Sequence, residues 1–287
     1  MRYIDIHTHV ISPDRDAYPL DPLGGVQSGW SQERTLTPRQ LLDAMDEAGA
    51  DKAVVVQAST AYGFDNSYVA DSVEKHGDGR LLGVGSVDIL AGDATDRLDH
   101  WVNQRGLVGI RLFSTGSTMP SQATWLNDPR TFDAWGWMQD NDLPVCVQMR
   151  LSGIPRLLDI LARFPRLRIV LDHAAQPDLE GGPPYPNSAA LFELSRFENV
   201  HLKLTNDNFE RAAAREGGAQ GLVAALVEHF TARRIAWGTN FPATEGRMSD
   251  LVRAAETALA GLDERDRQMI FADTALSLYP RLREQES

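Results

Sequence analysis

Tyr3-Ile4-Asp5-Ile6-His7-Thr8-His9 stands at the head of the chain and decides how the rest reads. Ile4 and Ile6 alternate with polar neighbours, which predicts a short β-strand. Alternate residues of a strand point the same way, so His7 and His9 can aim both imidazoles at one point. A shared metal ion or a small polar ligand needs that convergence. The plainer outcome is two histidines paired with backbone or carboxylates at a strand end.

Outward from this strand, the pattern repeats. A Pro/Gly-rich stretch runs through Trp30, long for a connection and expected to be either disordered or a lid over a site. Thr37-Pro38 then caps and opens a helix with Leu41, Leu42 and Met45 on its apolar face. Near-continuous apolar runs follow at 52–57, 81–87, 107–113, 144–148, 168–171, 200–204 and 235–238. Amphipathic helical stretches separate them, and a last helix is predicted over 264–279. Such runs fit parallel strands covered on both faces. Eight strands alternating with helices imply a parallel sheet with helical crossovers. An open doubly wound sheet would normally carry a Gly-rich turn after its first strand, where this chain has His-Thr-His. The expectation is therefore an α/β fold: one (β/α)8 TIM barrel over residues 1–287, with an extra C-terminal helix.

Forty acidic against 28 basic residues give a net charge of -12. That field repels nucleic acid and acidic membranes and points to a small-molecule substrate. No apolar run approaches the ~20 residues of a membrane span. No leader pattern opens the chain, and the single cysteine, Cys146, suits a reducing compartment; a cytoplasmic location is expected. Cys146 lies in an apolar run and reads as core. The sequence permits a homo-oligomer and does not specify one.

In a barrel the residues just past each apolar run converge at the C-terminal mouth. These are His7 and His9, then Gln57, Ser59 and Tyr62, then Ser86 and Asp88. Arg111 and Phe113, Gln148 and Arg150, Asp172 and His173, Lys203 and Asn206, and finally Asn240 complete the set. Alternation sends half of any such set into the helix layer. Asp172 beside His173, and Arg150 beside Met149, are most open to that objection. Asp65-Asn66 reads as a helix cap, and an ion pair of Arg111 with Asp88 is the plain alternative to a substrate contact.

Three of these stretches carry a resemblance. His7-Thr8-His9, Leu171-Asp172-His173 and Trp237-Gly238-Thr239-Asn240-Phe241-Pro242, in that order, resemble the amidohydrolase superfamily, most closely its amidohydrolase-2 branch. That branch holds lactonases, 2-pyrone-4,6-dicarboxylate lactonases among them, and metal-dependent decarboxylases. Gly109-Ile110-Arg111-Leu112 also looks like the lactonases, where the arginine grips a substrate carboxylate.

The resemblance implies an H-x-H pair, a strand-five His and a strand-eight Asp around a divalent ion, with the strand-six His nearby as acid or base. Here Gln148 and Asn240 stand at two of those positions, and neither amide is a good zinc ligand. No tightly bound metal is expected; zinc or another divalent ion on His7 and His9 is the alternative. An amide is also no base near pH 7. Asn240 is then an engineered replacement for aspartate, the mark of a subfamily with another base, or the sign of a chain that is no hydrolase.

The resulting expectation is a hydrolase that opens a lactone or related cyclic ester of a small, carboxylate-bearing substrate. Arg111, with Lys203, holds an anionic or carbonyl oxygen. His7 and His9, at least one protonated, stabilise the oxyanion. His173 activates water, Asn240 and Gln148 direct hydrogen bonds, and Tyr62 donates to the substrate. The alternatives are a metal-dependent amidohydrolase or decarboxylase of the same fold, and a non-catalytic binding relative.

Overall fold

The computed structural model describes residues 1–114 and 125–283. Eight strands form one parallel sheet in sequential order. They are β1 (Ile4–Thr8), β2 (Lys52–Val56), β3 (Leu81–Ser86), β4 (Gly109–Phe113), β5 (Val145–Gln148), β6 (Ile169–Leu171), β7 (Val200–Thr205) and β8 (Ile235–Gly238). The last strand returns to the first: Asn240 N–H donates to His7 O at 2.8 Å, His9 N–H donates to Phe241 O at 2.8 Å, and Thr8 bridges Phe241. The sheet is thus a (β/α)8 barrel, as the apolar runs predict.

Alternation sorts the strands into two cores. Ile110, Leu112, Val145, Val147, Ile169, Leu171, Leu202, Leu204 and Trp237 face the helix layer. Val54, Val56, Leu82, Val84, Cys146, Val170 and Ala236 fill the interior. Cys146 is core, as expected. The C-terminal segment packs on this interior through Ala272, Ala275, Leu278 and Tyr279. The helix predicted over 264–279 is broken: Glu264–Gln268 and Thr274–Leu278 flank a π-helical turn, Met269–Asp273.

β1 departs from simple alternation. Asp5 pairs with Ala53 but Thr8 pairs with Val55, so β1 holds one extra residue between the two ladder points. A bulge of this kind switches which side chains face inward. Ile4 and Ile6 belong to the interior core, and His7 nonetheless joins the interior histidines above them.

The barrel seam depends on a small residue. A Cβ on Gly238 would lie 2.7 Å from His7 Cβ and 2.8 Å from His7 N. Beside it, Asp5 accepts from His7 N–H at 2.9 Å and Thr239 N–H at 3.0 Å, and from the Thr239 hydroxyl. Burial raises this carboxyl to about 6 despite those donors. No helix among the described residues is long and apolar enough to cross a membrane.

Candidate active site

Three imidazoles meet where the strands end. The His7 ring lies 5.0 Å from that of His9 and 5.0 Å from that of His173. His9 Nδ1 donates to Val56 O at 2.7 Å; a carbonyl only accepts, so His9 carries its proton on Nδ1 and its lone pair on Nε2. His173 Nδ1 lies 2.7 Å from Thr205 Oγ1, and that hydroxyl donates to Asn208 Oδ1 at 3.3 Å. The hydroxyl therefore accepts from His173, which leaves the lone pair on Nε2. Among the described residues, neither ring nitrogen of His7 has a hydrogen-bond partner.

His173 reaches the interior although Asp172 beside it does too. The backbone turns left-handed straight after β6, with positive φ at His173, Ala174, Ala175 and Gln176. Left-handed backbone is costly for residues with a Cβ, and here it lets two adjacent side chains face the barrel. The parity objection to Asp172 and His173 is lifted by this turn.

A layer of charge lies against the imidazoles. Asp172 accepts from Arg111 Nε at 2.7 Å and pairs with Lys203 Nζ at 2.9 Å. Burial alone would raise the Asp172 carboxyl, yet Lys203 and Arg111 hold it far below the usual range. Burial would lower Lys203, and Asp172 reverses the sign. Lys203 is fully buried and also donates to Cys146 Sγ at 3.3 Å. Its cation neutralises Asp172 and does not line the cavity, contrary to the substrate contact expected of it. Arg111 likewise pairs with Asp172, not Asp88.

Burial, with Lys203 and Arg111 nearby, pushes His7 well below its ordinary value. Burial and Arg111 take His9 down to about 3. Both are neutral near pH 7, which corrects the expectation that at least one of them is protonated. His173 is also lowered, chiefly by burial, although Asp172 and Asp207 pull it upward.

A cavity of about 230 Å³ opens over these groups. His9, Trp30, Ser59, Thr60, Arg111, Phe113, Gln148, His173, Gln176, Asp207 and Asn240 line it. His9, Arg111, Gln148, His173 and Asn240 are thus brought together, with His7 buried against His9 and His173. Arg111 is the one cation among the described lining residues; its guanidinium lies 4.7 Å over Phe113, and Nη2 donates to Gln148 Oε1 at 2.6 Å. Nη1 is the nitrogen used by neither the Asp172 nor the Gln148 bond.

Tyr62 does not reach the cavity. It is buried, and its hydroxyl accepts from Ser12 N–H at 2.8 Å. Its work is to tether the long loop after β1. That loop is held further by the Ile11–Leu36 pair and by Arg34, which donates to Pro242 O and Ala243 O at 3.0 and 2.9 Å. The tethers place Trp30, in the short helix Gly29–Glu33, 5.1 Å from the His9 ring. The loop 181–186 supplies no lining residue. Asn206 faces away, donating to Leu251 O at 2.8 Å. Asp65 caps the next helix through Ser67 N–H at 2.9 Å, whereas Asn66 ties to Ser86.

Asp207 is a charged lining residue that the strand-end reading passes over, as it does Thr60 and Gln176. β7 ends at Thr205, and the helix Asn206–Ala213 starts at once, so Asp207 swings over the mouth from its first turn. Asn240 Nδ2 donates to Asp207 Oδ1 and Oδ2 at 3.2 and 3.1 Å, and Thr244 Oγ1 donates to Oδ1 at 2.5 Å. Asn240 has φ 63°, a left-handed value that Asn tolerates well.

The donors present do not fit a divalent ion. Gln148 Oε1 is bonded to the Arg111 guanidinium, and Asn240 turns its amide N–H toward Asp207. Among the described residues no group of three His, Cys, Asp or Glu is arranged to hold a metal.

Fold and site together define a barrel with a polar, histidine-lined cavity at the C-terminal mouth. The chain belongs to the amidohydrolase family, whose model matches residues 4–281. It is 28% identical over 242 residues to L-fucono-1,5-lactonase of Burkholderia ambifaria, covering 83% of this chain and 80% of that one. A solved structure of a candidate 2-pyrone-4,6-dicarboxylic acid hydrolase from Pseudomonas putida is similar, with a TM-score of 0.75, 25% identity and 98% of each chain covered. An amidohydrolase from Burkholderia multivorans, solved with bound zinc, shares the fold at a TM-score of 0.76 and 22% identity, over 98% of this chain and 99% of that one.

Proposed function

We propose that this chain hydrolyses a lactone by attack of water on the ring carbonyl, with no tightly bound metal. The observation that carries this is the meeting of one cation, two lone-pair imidazole nitrogens and one carboxylate around a single small cavity. Similarity to a sugar lactonase and to a candidate pyrone hydrolase supports the reaction class.

Arg111 is the electrophile: the carbonyl oxygen meets its guanidinium, and the charge that develops on attack is stabilised there. Neutral His7 and His9 do not supply that charge. His9 and His173 accept hydrogen bonds from substrate hydroxyls or from the attacking water. Gln148 fixes the guanidinium plane. Water's proton goes to a group on the same wall, His173 or Asp207.

The local charge bears on the substrate. Arg111 and Lys203 share the one buried carboxylate of Asp172, and Asp207 adds a negative charge to the cavity wall. A carboxylate on the substrate would share the cavity with Asp207. The indole of Trp30 beside Ser59 and Thr60 suits a neutral, hydroxylated ring instead. We therefore favour a hydroxylated six-membered lactone over a carboxylated one.

The test is a hydrolysis screen over sugar lactones and pyrone carboxylates, with and without a chelator. Turnover of hydroxylated lactones that survives chelation is the expected result. Turnover only of carboxylated rings would overturn the substrate class. Activity abolished by chelation and restored by a metal would overturn the metal-free chemistry, and decarboxylation without lactone opening would overturn the reaction.

A further inference from the structure

We propose that Asp207 is the general base of this site and that Asn240 is the positioning residue that holds it. The proton-accepting carboxylate has thereby moved from the end of β8 to the turn after β7. This rests on the lactone reading above.

The amide of Asn240 explains itself through its partner. Its Nδ2 reaches both oxygens of Asp207, at 3.2 and 3.1 Å, and also Thr244 Oγ1 at 3.2 Å. Thr244 N–H in turn donates to Asn240 O at 2.8 Å. A carboxylate gripped from the β8 side by two donors is fixed in orientation at the cavity wall. Its side chain is 40% exposed, so a proton it takes can pass to solvent. It lies 3.7 Å from His173 Nδ1, and both line the same cavity.

His173 is the less suited acceptor. Burial and the neighbouring Arg111 and Lys203 disfavour an imidazolium there. Its Nε2 lone pair accepts one hydrogen of the water, and Asp207 takes the other. In the attack, water's O–H bond breaks toward Asp207 while its oxygen bonds the carbonyl carbon, and the electron pair of the C=O moves to the oxygen at Arg111. Collapse then breaks the ring C–O bond, and the leaving alkoxide takes the proton back from Asp207. The product is the open hydroxy acid, and the site returns to its starting state.

The test compares wild type, Asp207→Ala with and without sodium formate, and the double variant Asp207→Asn/Asn240→Asp, on a lactone that wild type opens. Removing a general base costs about 100-fold or more in kcat. The expected result is a loss of that size in Asp207→Ala with unchanged circular dichroism, a recovery of at least about tenfold on adding formate, and a similar recovery in the double variant over Asp207→Asn. A lost positioning contact would not be restored by free formate. Asp207→Ala within about threefold of wild type overturns the assignment. So does a loss that neither formate nor the exchange relieves. If wild type opens no lactone, the functional reading fails first and this assignment falls with it.

Discussion

Beneath the cavity, Asp172 and Lys203 are fully buried, ionised and paired with each other, with Arg111 on the other carboxylate oxygen. At the mouth, Asp207 stands half-exposed against an amide and a hydroxyl, beside imidazoles kept neutral. The lower layer is sealed from solvent and does not line the cavity. Its charges set the protonation of the groups above and hold Arg111 in place. The upper layer keeps lone pairs and one carboxylate turned toward the cavity. Buried charge close to a site is thus no sign of direct chemistry; what matters is whether the group also reaches the cavity, as Arg111 does and Lys203 does not.

The two layers should respond differently to substitution. Lys203→Met leaves Asp172 buried with Arg111 as its sole cation, and stability in urea should fall by about 3–5 kcal/mol. A loss under 1 kcal/mol would show that the lower pair is not structural. His173→Gln acts in the upper layer: kcat should fall about 100-fold, equivalent to about 2.7 kcal/mol of barrier, with denaturation midpoints close to wild type. Equal damage to stability and rate would erase the distinction between the layers.

The seam that joins them is sensitive to a methyl group. Gly238→Ala drives a Cβ into the His7 backbone and side chain, which should cost about 1–3 kcal/mol by overpacking and lower kcat through displaced imidazoles. Unchanged stability and rate would mean that the seam relaxes freely.

A further effect, spread over several groups, is in pH. His7, His9, His173 and His201 are all held below their ordinary value by burial, His9 to about 3 and His201 to about 4. Unfolded, each takes up a proton near pH 6.5. The unfolded chain therefore binds more protons below that pH, and stability falls as pH drops from about 6.5. Each histidine adds up to about 1.4 kcal/mol per pH unit. Asp5, raised to about 6, works in the opposite sense between about 6 and its ordinary 3.8, and is one group against four. Urea denaturation at pH 7 and pH 5 measures the slope; a stability that rises on acidification would contradict the neutral imidazoles.

Much of the architecture is local in origin and was readable along the chain. Near-continuous apolar runs separated by amphipathic helices specify strands covered on both faces, and a chain of eight such units closes. The His-Thr-His, Asp-His and Trp-Gly-Thr-Asn stretches fall at strand ends for the same reason. Asp207 carries no such mark, because it lies two residues past β7 in a helix that starts without a loop. Tyr62 looked like a substrate donor because its loop does face the mouth; only the fold shows its hydroxyl turned to Ser12.

The sequence by itself determined the barrel, the end at which chemistry gathers, and most of the side chains found there, since hydrophobic periodicity is set by near neighbours. Tertiary structure decided which of those side chains are available. The bulge in β1 and the left-handed turn after β6 choose which residues face inward. Arg111 meets Asp172 across 61 residues, and Asn240 meets Asp207 across 33. Charges and amides choose partners by distance in space, and that distance exists only once the ring of strands has closed.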